Sequence, residues 1–458
     1  MKSIKIAALL LAPLLCAICG AAGVASVSQL PGSSLSPALT HGPFVSSLQH
    51  DRTQLWARAP YVGVFTLTLV EPSSGRSVVS HATATHDADQ TLRWDIRFPD
   101  GIAAVVQHLT IKDEAGNVLL DAKEWTRPVP VANGPGCELG LEASVLRSAR
   151  STVVIACVAP ASLPSQPSLW QSIRQRIPRG LVLRLDLATT ALGTLEDHRA
   201  LYRMLYDSTG VADVVSRFPF CIMTDSAPDH VARRVLSTDF SNSARRALVE
   251  YGGEARGLDG TGQFTRRRVG DVEVFCMDLS TYANTESVSG VGGTYSLLGS
   301  AQMAWLKNAL ASSTASVKVL SGAIPFGSDG IQAAEPSWDA WKEEKREILR
   351  WIGQNNISGV VLVSCGAGEA GIVSQSSKDT AGYRVFELRC SGSPARTAGS
   401  PSKPDSSANS VALHGPATFG VVSLFGTYES PSVRLEIASA YGATLHFKEL
   451  SLRSLSRR

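Results

Sequence analysis

The sequence predicts an α/β protein, in which a small all-β domain precedes a larger layered domain. Residues from about 38 to 130 contain short alternating or apolar runs, such as TQLWARA and VFTLTLVE, separated by Gly, Pro, Asp and Ser. This pattern is typical of a β-sandwich of the immunoglobulin or fibronectin kind. From about residue 137, buried-type strands such as STVVIACVAP alternate with amphipathic helices such as LWQSIRQRI. Strand–helix alternation of this kind implies a layered α/β domain, here spanning 137–450.

The N-terminus has the pattern of a secretory signal peptide. A basic start, MKSIK, is followed by the apolar stretch IAALLLAPLLCAIC and the small residues GAAGVAS. We expect cleavage between about Gly20 and Ser28, so that residues 1–25 are absent from an exported periplasmic or extracellular protein. The alternative is a membrane anchor. However, the apolar stretch is short for a span of roughly 20 residues and Pro13 interrupts it, and no later stretch predicts a stable membrane span.

Charge and cysteine content exclude several classes of function. The formal net charge is +3, and Lys2 and Lys5 of the leader supply two of these charges. A balance this small gives no argument for a nucleic-acid partner. The absence of a C-x-x-C pair from the mature chain excludes a zinc knuckle or a thioredoxin-like site. An oxidising compartment permits disulfides, but the sequence does not pair the six mature cysteines. They are Cys137, Cys157, Cys221, Cys276, Cys365 and Cys390.

Further elements follow along the second domain. VEVFCMDLS, VKVLSGAI, GVVLVS and YRVFELR are predicted strands, and AQMAWLKNALASS and WDAWKEEKREILRWIGQN are predicted helices. Residues 391–413 are rich in Ser, Pro, Gly and Ala, which predicts a mobile loop. FGVVSLFGTY and the segment from Ser432 onward predict the antiparallel strands that complete the domain.

The loop CGAGEAG contains a G-x-G-x-x-G after an apolar strand, the spacing of a dinucleotide-binding turn. That turn requires a helix directly after the third glycine, because the pyrophosphate lies at the helix N-terminus. Gly371 is instead followed by IVSQSSKDTAG and a strand, which leaves no room for a crossover helix. Glu387 lies at a suitable distance for a ribose contact, but without the helix the motif predicts no nicotinamide cofactor.

The order of elements resembles the alkaline phosphatase D-like (PhoD-like) metallophosphatase family. GPFVSSLQHDRTQLWARA is similar to the opening of that family's N-terminal sandwich domain, and IACVAPASLPSQPSLWQSI to its first strand and Gln-Pro-x-x-Trp helix. The similarity covers roughly 40–450, and its strongest segment is 297–364, LLGSAQMAWLKNALASS through GVVLVS. The resemblance implies a four-layer α/β/β/α fold. It also implies phosphomonoesterase or phosphodiesterase activity that depends on two metal ions, iron and calcium.

Most of the family's catalytic positions are substituted in this chain. Cys157 stands at the family's first-strand cysteine, and Asp186 retains the aspartate of its Gly-Asp-x-x-Tyr without the tyrosine. Asp225 retains one aspartate of its Trp-Asp-Asp-His, and Asp278 stands in its Leu-Asp-Thr-Arg without the arginine. The family's Ser-Gly-Asp-x-His corresponds to residues 364–368, where glycine replaces both the aspartate and the histidine. Cys157, Asp186 and Asp225 are therefore the candidate remnant metal ligands, with a buried thiol and loop-capping aspartates as the structural alternative.

Two histidines and a run of arginines are the remaining candidates for catalysis or phosphate binding. Between Cys137 and Cys390 the only histidines are His198, which a helical pattern places at the surface, and His230, the candidate catalytic residue near Asp225. A two-metal phosphatase without imidazole ligands or a general-acid histidine is unusual. The run Arg266–Arg268 either grips a phosphate or forms a solvated hairpin, and we favour the hairpin.

Three functional hypotheses follow. The first is a catalytically degraded metallophosphatase that binds fewer metal ions than the family or none. Its role would be to bind a phosphorylated ligand or an envelope protein. The second is a working phosphoesterase whose rearranged ligands are Cys157, Asp186, Asp225 and His230. The third is an envelope scaffold that acts through the β-sandwich. Metal content distinguishes the first two.

Overall fold

The described residues of the computed structural model belong to the second of two units of the chain, Pro37–Arg458. The first unit, Met1–Ser36, lies outside the described residues, and so does the predicted signal peptide. The structure describes residues 38–48, 52–97, 106–126, 151–158, 167–186, 194–225, 238–252, 263–279, 296–327, 337–365, 370–375, 378–391, 411–413, 418–426 and 429–457.

The first part of the second unit, the β region (38–126), contains two antiparallel sheets. One sheet has the strand order β1-β2-β5 and the other β4-β3-β6-β7. Alternate side chains of the strands are buried, and residues of both sheets share one hydrophobic core, in which Trp94 donates its indole N–H to the carbonyl of Phe65 at 3.1 Å. The strands are β1 His41–Leu48, β2 Arg52–Arg58, β3 Gly63–Val70, β4 Ser77–Ala84, β5 Thr91–Arg97, β6 Val106–Asp113 and β7 Val118–Thr126.

The α/β region (151–457) contains a first mixed sheet, sheet I, with the strand order β10-β9-β8-β18-β19-β20. Strands β8, β9 and β10 are mutually parallel, while β18, β19 and β20 continue the sheet in antiparallel pairs. The strands are β8 Ser151–Val158, β9 Gly180–Asp186, β10 Phe220–Asp225, β18 Thr418–Gly426, β19 Pro431–Ser439 and β20 Thr444–Ser451.

Sheet II has the order β11-β12-β13-β14-β16-β15-β17. Its central strands β12, β13, β14 and β16 are parallel. They are buried on both faces, which is why the sequence shows them as continuous apolar runs. The strands are β11 Thr265–Val269, β12 Val272–Cys276, β13 Val317–Gly322, β14 Val360–Cys365, β15 Ala370–Ser374, β16 Phe386–Cys390 and β17 Val411–Leu413.

Helices connect these strands, and buried side chains of both sheets and of the helices form one core. The second helix begins with a capping box: Thr194 accepts from the Asp197 N–H, and the Asp197 carboxylate accepts from the Thr194 N–H. The α-helices are α1 Pro167–Gln175, α2 Leu195–Asp207, α3 Thr209–Arg217, α4 Thr238–Tyr251, α5 Gly299–Ser312, α6 Lys342–Gln354 and α7 Lys378–Ala381.

Aromatic side chains join the β region to the α/β region. Phe44 and Trp56 belong to the core of the α/β region rather than to that of the β region. Trp56 packs on Tyr206 and Tyr251 with ring centroids 4.9 and 5.5 Å apart. The β region and the helices α2 and α4 therefore share one apolar interface.

A charged cluster flanks this interface. Asp89 accepts hydrogen bonds from Arg58 of β2 at 2.9 Å, from Arg203 of α2 and from the Tyr251 hydroxyl of α4. The backbone of Asp89 is left-handed, with φ 48°, a conformation that aspartate tolerates better than most residues. The turn before β5 thereby places one carboxylate among groups from both regions.

Gly359 forms the tight connection between α6 and β14. Its φ is +74°, and a Cβ atom there would lie 2.0 Å from the carbonyl oxygen of Ser316. Its own carbonyl accepts the Lys318 N–H at 2.8 Å. Only glycine allows this close approach of two backbone segments.

Three details differ from the sequence interpretation or extend it. The prediction that His198 is a surface residue is wrong: its side chain is fully buried, because it faces inward from α2. Of the predicted loop 391–413, residues 392–410 lie outside the described residues and Val411–Leu413 forms β17. Gly371 lies in strand β15, so no helix begins at the third glycine of the loop, as the sequence predicts.

Candidate functional site

Three of the sequence candidates lie at one edge of sheet I. The strands β8, β9 and β10 are in register, so that Val158 pairs with Leu185 and Asp186 pairs with Asp225. For Asp186 and Asp225 the structure describes the backbone only. The carboxyl ends of parallel strands in α/β sheets are the usual location of a ligand site, and Cys157, Asp186 and Asp225 all belong to this edge.

A cluster of thiols lies between the two sheets near the same edge. Cys157 of sheet I hydrogen-bonds to Cys365 of sheet II, and Cys365 also contacts Cys390, its register partner in the neighbouring strand. All three are buried and none forms a disulfide in this structure. The bond to Cys157 lowers the pKa of Cys365, but Cys390 and burial outweigh it, so this pKa lies well above its ordinary value. Cys365 therefore remains a protonated thiol at neutral pH.

A buried guanidinium links the two sheets beside these thiols. Arg184 is the register partner of Cys157 in sheet I and is fully buried. It donates to the carbonyl of Met277 at 3.1 Å and to both the carbonyl and the hydroxyl of Ser321 at 3.3 Å. These acceptors lie at the carboxyl ends of β12 and β13. Arg184 thus holds the ends of two strands of sheet II and places a positive charge beneath the candidate site.

Asp278 contributes to a buried hydrogen-bond network. Its carboxylate accepts the backbone N–H of Gln263 at 3.0 Å, and its own N–H donates to Gln302 of α5 at 2.8 Å. Gln302 in turn donates to the Asp278 carbonyl at 2.7 Å, and the Thr224 hydroxyl donates to Gln263 at 2.6 Å. These contacts position the loop after β12 against the end of β10.

Sequence reasoning missed the network centred on Glu387. This carboxylate accepts from the Phe326 N–H, the Ser364 hydroxyl and the Gln375 amide, each at 2.7 Å. Arg389 forms an ion pair with it at 3.1 Å, and all of these groups are buried. The network fixes backbone on both sides of residues 366–369. The signal in the sequence is the pair of charged residues in the otherwise apolar strand FELRC.

A second thiol pair, Cys221 with Cys276, lies farther along the space between the sheets. Their thiols hydrogen-bond to each other, and the Arg267 guanidinium contacts Cys221. The hydrogen bond from Cys276, assisted by Arg267 and Arg184 and opposed by burial, lowers the pKa of Cys221 to about 6. The pKa of Cys276 is raised well above its usual value, first because of its bond with Cys221 and then because of burial.

The basic run forms a hairpin, as the sequence favours. Strands β11 and β12 pair in antiparallel fashion, and Arg266 and Arg268 are exposed, the former donating to Ser312 and the latter to Asp271. Arg267 differs, because it points into the space between the sheets.

A protein-family model and two solved structures are similar to this chain. Residues 171–386 match the family model described as PhoD-like phosphatase. This part of the chain is similar in sequence to PhoD-like phosphatases. The solved structure of PhoD is similar, with a TM-score of 0.58 and 14% identity over 92% of this chain and 90% of that one. The purple acid phosphatase PPD1 from yellow lupin (Lupinus luteus) seeds gives a TM-score of 0.56 and 10% identity over 91% and 74%. These two similarities show the metallophosphatase-like fold.

Two further findings concern the sequence relatives of the chain and its helices. No curated protein matches it in sequence. None of the helices in the described ranges is long and apolar enough to cross a membrane.

Only part of the candidate metal-ligand set has described side chains. In the part of the chain that the structure describes, no group of three or more His, Cys, Asp or Glu residues could hold a metal ion. His198 lies in α2, where burial lowers its pKa despite the opposing effect of Asp197. His230 and residues 366–368 lie outside the described residues. The thiols and the Asp278 carboxylate near the edge make hydrogen bonds within the protein.

Proposed function

We propose that this protein is an exported member of the PhoD-like family that binds a ligand or partner through its metallophosphatase-like fold without hydrolysing phosphoesters. The observation that carries this proposal is the donor set at the strand ends. The family's aspartate and histidine after β14 are Gly366 and Gly368, and Arg184 supplies a cation beneath the same edge. A phosphorylated ligand or an envelope protein is the expected partner.

Charge supports this proposal. Metal ions in such sites require carboxylate, thiolate or imidazole ligands that are deprotonated. Cys365 is held as a thiol, and the guanidinium of Arg184 repels cations in a medium of low dielectric constant. A phosphate group carries the opposite charge, and the same guanidinium favours it.

The finer architecture belongs to the same proposal. The two antiparallel sheets of the β region, with their common core, support an immunoglobulin- or fibronectin-like sandwich. The two facing sheets with their helices support the four-layer α/β/β/α arrangement. The leader pattern of residues 1–25 supports export.

A second candidate is a working phosphoesterase with rearranged ligands. The observation that favours it is the in-register position of Asp186 and Asp225 on neighbouring strands, one strand away from Cys157. Together with His230 these residues would form a smaller donor set.

The experiment combines metal content with turnover. We expect the purified protein to contain less than one equivalent of iron, calcium, zinc or manganese by elemental mass spectrometry. Turnover of an aryl phosphate monoester and diester, with each metal supplied, is expected at background. Loss of the metal ions and of the hydroxide they generate removes several kcal/mol of transition-state stabilisation, and each ~1.4 kcal/mol is about tenfold in rate.

Two variants and a control separate the candidates. We expect Asp186→Ala and Cys157→Ala to change neither metal content nor rate relative to Asp121→Ala, an exposed aspartate of β7. Metal-dependent turnover that disappears in Asp186→Ala or Cys157→Ala but persists in Asp121→Ala would establish the rearranged enzyme instead.

A further inference from the structure

Cys221 and Cys276 come from opposite sheets and meet between them. Cys221 lies in β10 of sheet I, where it pairs with Val182, and Cys276 ends β12 of sheet II, where it pairs with Ser321. Their thiols hydrogen-bond to each other, and the two side chains are 1% and 0% exposed. The two thiols therefore contact each other across the two packed sheets, away from solvent.

The other described thiols are arranged differently. Cys157, Cys365 and Cys390 form a group of three in which Cys365 contacts both of the others. Cys365 and Cys390 are register partners on neighbouring parallel strands of the same sheet. Cys157 and Cys365 also meet across the two sheets, but Cys365 shares its contact with Cys390. Cys221 and Cys276 form a separate pair across the same two layers.

We propose that Cys221 and Cys276 form a disulfide that joins sheet I to sheet II in the mature protein. The co-reactant is a dithiol oxidant in its disulfide form, of the kind present in oxidising compartments. The proposal depends on the export proposed above for its occurrence in the cell, but its chemistry is testable in vitro without it.

The reaction is ordinary thiol–disulfide exchange. The Cys221 thiolate attacks one sulfur of the oxidant, its disulfide bond breaks, and one thiolate of the oxidant leaves. Cys276 then gives up its proton and attacks the Cys221 sulfur, and the second thiolate of the oxidant leaves. Two electrons pass to the oxidant, which ends as two thiols. Because both cysteines are buried in the folded protein, the exchange takes place before the sheets close.

The test begins with the reduced, unfolded full chain. It is refolded in a buffer of oxidised and reduced glutathione and, in parallel, with a strong reductant alone, then denatured and alkylated. We expect a peptide pair linked through Cys221 and Cys276 in the first sample and alkylated thiols at both positions in the second. Alkylation of both cysteines in the glutathione sample, or their linkage to other partners, would overturn the proposal. Either result leaves the proposed lack of turnover untouched.

Urea denaturation with and without reductant provides a second readout. The bond would close a loop of about 55 residues, so reduction should lower the wild-type midpoint by roughly 0.5–1 M urea. Cys221→Ser and Cys276→Ser should lose this response to reductant, whereas Cys390→Ser, from the group of three, should keep it. A midpoint of the refolded wild-type protein that does not depend on reductant would contradict the bond.

Discussion

The indole N–H of Trp56, in the β region, donates a hydrogen bond of 2.8 Å to the backbone carbonyl of Glu250 in α4. The ring is fully buried against Tyr206 and Tyr251. Trp56 therefore projects from the β region into the hydrophobic core of the α/β region.

We therefore expect Trp56→Ala to destabilise the protein by about 3–5 kcal/mol, through loss of buried area and creation of a cavity. Trp56→Phe keeps most of the ring but leaves the Glu250 carbonyl without this donor, at a cost of about 1–3 kcal/mol. Chemical denaturation gives both values. Trp125→Phe, at a half-buried position of β7, is the control and should change stability little. Equal effects at positions 56 and 125 would contradict this interface.

Asp89 predicts a dependence of stability on pH. Burial raises the pKa of its carboxyl, but the hydrogen bonds from Arg58, Tyr251 and Arg203 and the charge of Arg58 outweigh burial, so the pKa lies below its usual value. A carboxylate with a depressed pKa contributes stability above its unfolded pKa of about 3.9, and this contribution is lost as the pH falls through the folded pKa.

Asp89→Asn should therefore cost about 2–4 kcal/mol at pH 7. The difference from wild type should shrink below about pH 4, where the carboxyl of the unfolded chain protonates while that of the folded protein stays ionised to lower pH. Asparagine tolerates the left-handed backbone, so the change tests the charge rather than the turn. Urea denaturation of both proteins from pH 3 to pH 8 measures the effect. A difference that stays constant across this range would contradict it.

Two neighbouring tyrosines should respond in opposite ways to removal of the hydroxyl group. The Tyr202 hydroxyl is buried and has no hydrogen-bond partner among the described residues. The Tyr206 hydroxyl donates to the Tyr251 carbonyl at 2.7 Å. Tyr202→Phe should be neutral or stabilising by up to about 1 kcal/mol, whereas Tyr206→Phe should cost about 1–3 kcal/mol. Thermal unfolding measures the stability of the two variants against wild type. A loss of stability in Tyr202→Phe would reveal a hydrogen-bond partner for that hydroxyl and contradict the prediction.

Gly359 and Gly116 provide a matched pair for backbone strain. Both have positive φ, +74° and +84°, but a Cβ at Gly116 meets nothing within 4 Å. Gly116→Ala should cost only the left-handed conformation, about 1–2 kcal/mol. Gly359→Ala adds a collision with the Ser316 carbonyl, so we expect a cost of about 3 kcal/mol or more, on the order of the larger backbone effects. Similar denaturation midpoints for the two variants would show that the chain relaxes around position 359.

Much of the fold is predictable from the sequence because strands buried on both faces leave unambiguous apolar runs. GVVLVS becomes β14 almost residue for residue, and GLVLRLD becomes β9. The burial of His198 is not predictable in this way, because its helical pattern also fits a surface position. The roles of Arg184 and Glu387 depend on partners more than 60 residues away in sequence, such as Met277 and Phe326, that only the packing of the sheets brings together.

The candidate site is predictable only in part. The register of β9 and β10 brings Asp186 and Asp225 to one edge, as expected for carboxyl ends of parallel strands. Whether they act together with His230 stays a prediction, since that histidine lies outside the described residues.

The position of Arg184 has a consequence for redesign. Reinstating an aspartate and a histidine at 366 and 368 would still leave a fixed cation beneath the strand ends, opposed to any metal ion placed there. Removing that cation alone would take its donor from the Met277 carbonyl, whereas the Ser321 carbonyl would keep the Met277 N–H. The charge beneath the strand ends is thus tied to the backbone of sheet II, and a redesign of this edge has to replace both together.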